Sequence, residues 1–282
     1  MPNELQQHIG STAFAFRGYN VTNLGRTPEL LSHSAFGPTV RKHLELAGEV
    51  CASEIGRPVN LVRIVEERNE PGLPNYAEAV ALVMAVELAQ VELLEQHFGV
   101  RFSEGRLTFG YSLGELTAII CSGMYAAEPV MRVPIALAED SAALAKNASM
   151  GILFSRGPAI DEMVVRRLCQ QITSEGDGTI GYSAVLSPNT YLLLGQNDTV
   201  GRFYAMMHDV LPKPVHLRMN PDRWPPLHTE IVRQRFIPDR ASLMMEKLRD
   251  TYVPPSPPIV SLVTGKRSYD AVQARDILRR WC

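Results

Sequence analysis

The sequence of 282 residues contains no unbroken apolar run of about 18 residues, the length a membrane-crossing helix needs, so no span is expected. It has only 4 cysteines (Cys51, Cys121, Cys169 and Cys282), and no two stand in a Cys-x-x-Cys pair. Cysteines so sparse and scattered argue against a disulfide framework and against a zinc site, which leaves reduced thiols. A surplus of one charge is missing too: 28 Lys and Arg meet 30 Asp and Glu, a formal net charge of -2. Nucleic-acid binders carry basic patches, so nucleic acid is not an expected partner. The opening Met1-Pro2-Asn3-Glu4-Leu5-Gln6-Gln7 lacks the basic-then-apolar order of a secretory signal, and no internal repeat is visible. The expectation from these absences is a cytoplasmic protein with no membrane partner and no metal.

What is present is ordinary for a globular protein, with 45% hydrophobic and 21% charged residues. A chain of this length can bury a sizeable core, as one large domain or as one domain carrying an insert. Ala13-Phe14-Ala15-Phe16 reads as a short strand running into the loop Arg17-Gly18-Tyr19-Asn20. Helical periodicity covers Pro28 to about Ala52, broken near Gly37-Pro38, and a loop rich in proline and glycine covers Asn69 to Asn75. From Tyr76 to about His97 apolar side chains fall on every face, which predicts a buried helix ended by Phe98-Gly99. Leu107 to Tyr111 predicts a strand, Leu113 to about Met124 a helix, and Val133 to Ala148 another helix.

The next stretch changes character. Strands at Gly151–Phe154, Ile180–Val185, Tyr191–Leu194 and Val215–Leu217 alternate with helices at Ile160–Ile172 and Val200–Val210. That β-α-β-β-α-β order is the ferredoxin-like pattern. It predicts a small subdomain at 150–219 inserted into a larger α/β body formed by 1–149 and 220–282. After a loop at Pro221–Pro226, Thr229–Tyr252 reads as mostly helical. Pro254-Pro255-Ser256-Pro257-Pro258 is a stiff connector into a strand at Ile259–Val263.

Gly110-Tyr111-Ser112-Leu113-Gly114 has the Gly-x-Ser-x-Gly form of a nucleophile elbow. That chemistry needs a hydroxyl on a sharp strand-to-helix turn, with glycines where side chains would collide. The helix N-terminus then offers backbone N–H groups and the positive dipole end to a developing oxyanion. A serine at such a turn can instead merely cap the helix. The apolar strand before it and the apolar helix after it are the setting the elbow requires.

A serine nucleophile needs a base. The 7 histidines are His8, His33, His43, His97, His208, His216 and His228. His97 and His208 fall on helices and His216 on a strand, which suits surface or structural roles. His228, in Pro225-Pro226-Leu227-His228-Thr229, stands where a loop meets a helix just beyond the predicted insert.

Gly110-Tyr111-Ser112-Leu113-Gly114-Glu115 resembles the Gly-His-Ser-Leu-Gly-Glu elbow of the malonyl-CoA:acyl-carrier-protein transacylase family. The helix before the elbow, the ferredoxin-like insert after it and Ser187-Pro188 between two insert strands follow the family's order. Pro226-Leu227-His228 resembles its Pro-x-His. The likeness runs from about Phe14 to the last residue. It implies an α/β-hydrolase-like body with a parallel sheet, no cofactor, and acyl-CoA and acyl carrier protein as partners. Ser112, deprotonated by His228, would take the acyl group from CoA and pass it to the carrier protein's phosphopantetheine thiol. Backbone N–H groups of Leu113 and Tyr19 would form the oxyanion hole, and Tyr111, Leu137 and Asn75 would line the substrate pocket.

The chain also departs from the family. The Pro-Gly-Gln-Gly loop appears as Arg17-Gly18-Tyr19-Asn20, Tyr111 replaces a histidine, and Asn75 stands where glutamine is usual. Malonyl enzymes hold the substrate carboxylate with an arginine on the helix after the elbow. Leu137 occupies that position here, and Arg132 lies more than one turn earlier. A bidentate carboxylate clamp then has no substitute beyond a rearranged Arg17, Arg132 or Arg223, and an uncarboxylated acyl group becomes the expected cargo. The family also continues past the point matching Arg279-Arg280-Trp281-Cys282 with a further strand and a Gly-Pro-Gly turn. Three functions remain open on these grounds: an acyltransferase, a catalytically degenerate homologue that binds a carrier protein or partner enzyme, and a thioesterase or esterase.

Overall fold

The computed structural model describes residues 4–211, 213–248 and 252–269. The expectations placed on Met1 to Asn3 and on Arg279 to Cys282 lie outside these residues. The chain is α/β and divides into two compact units, Met1–Ala138 with Arg240–Trp281, and Glu139–Asp239.

The first unit begins with the short helix α1 (Glu4–Gln7) and strand β1 (Ala13–Phe16). Helices α2 (Thr27–Ser32) and α3 (Gly37–Ile55) follow, each opening on a proline in its first turn. The break expected near Gly37 is therefore real, since proline's missing N–H costs nothing at a helix start. Helix α4 (Leu61–Glu66), which the sequence pattern does not announce, is capped by Asn60, whose side chain accepts from Arg63 N–H at 2.8 Å. Helix α5 (Tyr76–Phe98) buries all of Ala79 to Ala85 and ends on Gly99 in the left-handed conformation. It packs against α3, as a helix apolar on all faces must.

Strand β2 (Leu107–Gly110) pairs in parallel with β1, Ala13 opposite Leu107 and Phe16 opposite Gly110. A parallel bridge joins Thr108 to Ile259, with Thr108 N–H donating to the Pro258 carbonyl at 2.9 Å. Helix α6 (Leu113–Cys121) leaves β2 through the two-residue turn Tyr111-Ser112. Phe16, Phe102 and Ala118 form a small core beneath it, with Phe14, Val91 and Cys121 packed alongside.

The single helix expected at Val133–Ala148 is instead two, α7 (Ala127–Ala136) and α8 (Ala138–Ala145). Pro134 lies inside α7, and the chain turns at Leu137. Ala148 is already in strand β3 (Ala148–Ser155), opposite Gln196, so sheet pairing overrides the helix-forming composition there.

In the second unit helix α9 (Glu162–Ser174), strands β4 (Ile180–Ser187) and β5 (Thr190–Gln196), helix α10 (Thr199–Val210) and strand β6 (Val215–Asn220) follow β3. The four strands form one antiparallel sheet in the order β4-β5-β3-β6. Leu153, Tyr191, Leu193 and Val215 from the sheet meet Val165, Leu168, Ile172, Phe203 and Met207 from α9 and α10 in one buried core. The stretch expected to be helical after Thr229 is a 3-10 segment at Glu230–Arg235 followed by helix α11 (Ile237–Glu246). Phe236 separates them in the left-handed conformation, φ 53°, which no α-helix can pass through. Strands β7 (Val260–Ser261) and β8 (Lys266–Arg267), back in the first unit, form an antiparallel pair.

Candidate active site

Ser112 occupies the turn between β2 and α6 with φ 54° and ψ -115°. Positive φ on a residue with a side chain costs of order 1 kcal/mol and is kept only where the surroundings enforce it. Here the surroundings are backbone. A Cβ on Gly110 would lie 2.0 Å from the Gly114 carbonyl carbon, and one on Gly114 would lie 2.5 Å from the carbonyl oxygens of Phe16 and Arg17. The two glycines of the pentapeptide are thus where strand, turn and helix come into direct contact. The Ser112 side chain makes no capping bond to α6, although Ser112 is the residue at the N-cap position. Its carbonyl accepts from Glu115 N–H at 2.9 Å, and the Tyr111 carbonyl accepts from Gly114 N–H at 3.1 Å. Leu113 is the first helical residue, whose N–H has no intrahelical acceptor.

The loop after β1 runs against this turn. A Cβ on Gly18 would come 2.6 Å from the Tyr111 carbonyl oxygen and 3.5 Å from Ser112 Cβ. The neighbouring Tyr19 ring packs edge-on against Tyr76 at 4.8 Å between centroids. Burial raises the Tyr76 phenol well above its ordinary value, and the nearby Tyr19 adds to this. Tyr111 is 43% exposed, and partial burial raises its phenol as well. The structure therefore brings Ser112, Leu113, Tyr111 and the Tyr19 loop together in one unit. Asn75 is exposed at the start of α5, one residue before Tyr76. Leu137, at the end of α7, is buried.

His228 belongs to the second unit. It too has positive φ, 61°, on a chain pinned at both sides. The Leu227 carbonyl accepts from Ser183 Oγ at 2.9 Å, and Thr229 Oγ1 donates to the Pro226 carbonyl at 2.7 Å. The three arginines that the sequence offers as alternative carboxylate partners are engaged with other groups. Arg17 turns back on its own loop, donating to the carbonyls of Gly18 and Thr22 and to Asn23 Oδ1. Arg132 pairs with Glu54 and Glu128, and Arg223 donates to the Ala148 carbonyl at 2.7 Å.

Sequence reasoning missed two buried carboxylates around the turn. Glu87, on α5, accepts the Arg17 N–H at 2.7 Å on Oε1 and bonds Thr117 Oγ1 of α6 at 2.6 Å through Oε2. Burial pushes its carboxyl up to about 7, against smaller opposing effects from Thr117 and Arg17. Glu115, on α6, accepts from the Tyr269 hydroxyl at 2.5 Å and from Leu262 N–H at 3.2 Å. The signal for both was an acid between apolar neighbours in a helix, Val86 and Leu88 beside Glu87 and Leu113 and Leu116 near Glu115, because an acid is almost never buried without partners. Among the described residues no group of three or more His, Cys, Asp or Glu could hold a metal ion. No described helix is long and apolar enough to cross a membrane.

No protein-family model matches the chain, and no curated protein matches it. Solved structures do. FabD from Acinetobacter baumannii is similar at TM-score 0.72 and 20% identity, over 97% of this chain and 79% of that one. A malonyl-transacylase in complex with its type II PKS acyl-carrier protein is similar at TM-score 0.70 and 19% identity, over 95% and 80%. The acyltransferase domain from the second module of the salinomycin polyketide synthase is similar at TM-score 0.69 and 21% identity, over 95% and 56%. The chain has the fold of these acyltransferases.

Proposed function

We propose that this protein is an acyltransferase that moves an acyl group from CoA to an acyl carrier protein through an ester on Ser112. The observation that carries the proposal is the backbone at Ser112. A serine held at positive φ by glycine-mediated contacts, with its hydroxyl not spent on capping α6, is placed for chemistry rather than for helix stability. The shared fold with carrier-protein transacylases supports the choice of reaction class. In the same reading the second unit's sheet, ordered β4-β5-β3-β6 with two helices on it, is the ferredoxin-like subdomain of 150–219, and the remainder is an α/β-hydrolase-like body. The protein would work in the cytoplasm without a cofactor of its own.

The steps balance without any group beyond the substrates. His228 Nε2 takes the Ser112 Oγ proton as Oγ attacks the thioester carbonyl carbon. The oxyanion so formed is held by N–H groups of Leu113 and Tyr19. As the C–S bond breaks, the imidazolium returns its proton to the departing CoA thiolate, leaving the acyl ester. The carrier protein's phosphopantetheine thiol then gives its proton to His228 and attacks the ester carbonyl, and Ser112 leaves with the proton restored. Intact mass after incubation with acyl-CoAs tests the scheme. The wild type is expected to gain one acyl group and Ser112→Ala none. Equal incorporation in Ser112→Ala would overturn the proposal, and loss of the acyl group to water faster than to a carrier thiol would make the protein a thioesterase.

A further inference from the structure

The turn that carries Ser112 is assembled from two pieces of chain far apart in sequence, and a third element joins them. Glu87 reaches from the middle of α5, only 5% exposed, to the backbone N–H of Arg17 at 2.7 Å and to the Thr117 hydroxyl at 2.6 Å. Arg17 opens the loop that carries Gly18 and Tyr19, and Thr117 lies just over one turn into the helix that begins at Leu113. We infer that Glu87 is a positioning residue for the acyl-transfer turn, a clasp that holds the Tyr19 loop and helix α6 at the spacing their two N–H groups need. The inference rests on the acyl-transfer reading for its chemistry, but not for its geometry.

Three observations support it. Both bonds are short and leave from the two oxygens of a single carboxyl, so neither limb can move without pulling on the other. The carboxyl is buried and accepts from both limbs, from the Arg17 N–H on Oε1 and from the Thr117 hydroxyl on Oε2, while burial pushes it up to about 7. The facing titratable groups are the Arg17 side chain and the Cys121 thiol, and that thiol is raised by its own burial and then by Glu87. Glu87 is almost fully buried and both its oxygens are taken by protein groups, so it acts through the loop and helix it holds.

The test uses the full chain. Glu87→Gln keeps both contacts, since its amide oxygen accepts from Arg17 N–H and its NH2 donates to the Thr117 hydroxyl, which turns from donor to acceptor. Glu87→Leu loses both, and Thr117→Val loses one while keeping the side-chain shape. Acylation of Ser112 by acetyl-CoA in a single turnover should slow at least about 10-fold in Glu87→Leu, with the apparent affinity for acetyl-CoA unchanged, because a misplaced oxyanion donor weakens the transition state alone. Glu87→Gln should stay within about threefold of wild type, and Thr117→Val should fall between the two. Amide hydrogen exchange at residues 17–20 should speed up in Glu87→Leu and not in Glu87→Gln. A Glu87→Leu protein acylated at the wild-type rate, a Glu87→Gln protein as slow as Glu87→Leu, or exchange at residues 17–20 unchanged by losing the carboxyl would each overturn the inference. If Glu87→Leu does not fold, an unchanged Thr117→Val has the same force. A wild type that is never acylated defeats the acyl-transfer reading instead, and the exchange measurement then decides the clasp alone.

Discussion

Leu137, the residue that the sequence resemblance sets at the position of a malonyl enzyme's arginine, is buried, and burying a carboxylate without a partner costs several kcal/mol. The nearest alternatives by sequence are committed to other acceptors, Arg17 within its own loop and Arg132 to two glutamates. If Leu137 lines the acyl pocket, an uncarboxylated ester such as acetyl-CoA should acylate Ser112 with kcat/KM at least about tenfold above malonyl-CoA, since each 1.4 kcal/mol is worth about tenfold. Direct competition between the two esters decides it, and malonyl-CoA winning would mean that a cation reaches the pocket after all. Counting along the chain from the elbow is enough to single out Leu137 in the sequence. Glu87 is not found that way: its partners Arg17 and Thr117 lie 70 and 30 residues away, and only the folded chain brings them together.

At the scale of elements, the strand–turn–helix from β2 to α6 leaves no room for added atoms. A Cβ at Gly114 would sit 2.5 Å from two carbonyl oxygens of the β1 end, which is backbone that cannot move aside cheaply. Gly114→Ala is expected to lower stability by about 1–3 kcal/mol and to displace the Tyr19 loop. Urea unfolding checks the first and acylation rate the second, and a variant matching wild type in both would show that the loop has slack. The helices on either side differ in how readable they were. Helix α5 was plain, because apolar residues on every face and a terminal glycine admit one interpretation. The join between α7 and α8 was not, because alanine-rich sequence continues through it, and the 3-10 segment after Thr229 hides its stop in one left-handed Phe236. Periodicity records which residues like a helix, and sheet pairing at Ala148 then overrules it from outside the segment.

For the molecule as a whole, Glu87 ties stability to pH. Its carboxyl titrates near 7 when folded, against 4.5 for the ordinary group. The folded state therefore binds the proton more tightly than the unfolded chain. The benefit is complete below about pH 4.5 and is lost as pH rises through about 7. Urea midpoints measured from pH 5 to pH 8 should fall with rising pH in the wild type, and the fall should be shallower in Glu87→Gln, which has no proton to lose. Parallel curves would show that the carboxyl is better solvated than its burial indicates. Surface ion pairs such as Arg63 with Glu67 are exposed and worth little by comparison.

The bond from Tyr269 to Glu115 bears on how this protein can be cut and rejoined. Tyr269 is fully buried, and its hydroxyl ends on the helix whose first residue follows Ser112, while the Tyr252 hydroxyl returns to the Tyr269 carbonyl. The ribbon of 259–269 is thus held by strand β2 and helix α6 through side chains as well as through β pairing. A version split just before Pro254 and expressed as two fragments has the contacts it needs to reassemble, whereas one that stops just before Tyr269 leaves the buried Glu115 carboxyl with the Leu262 N–H but without the hydroxyl on its other oxygen.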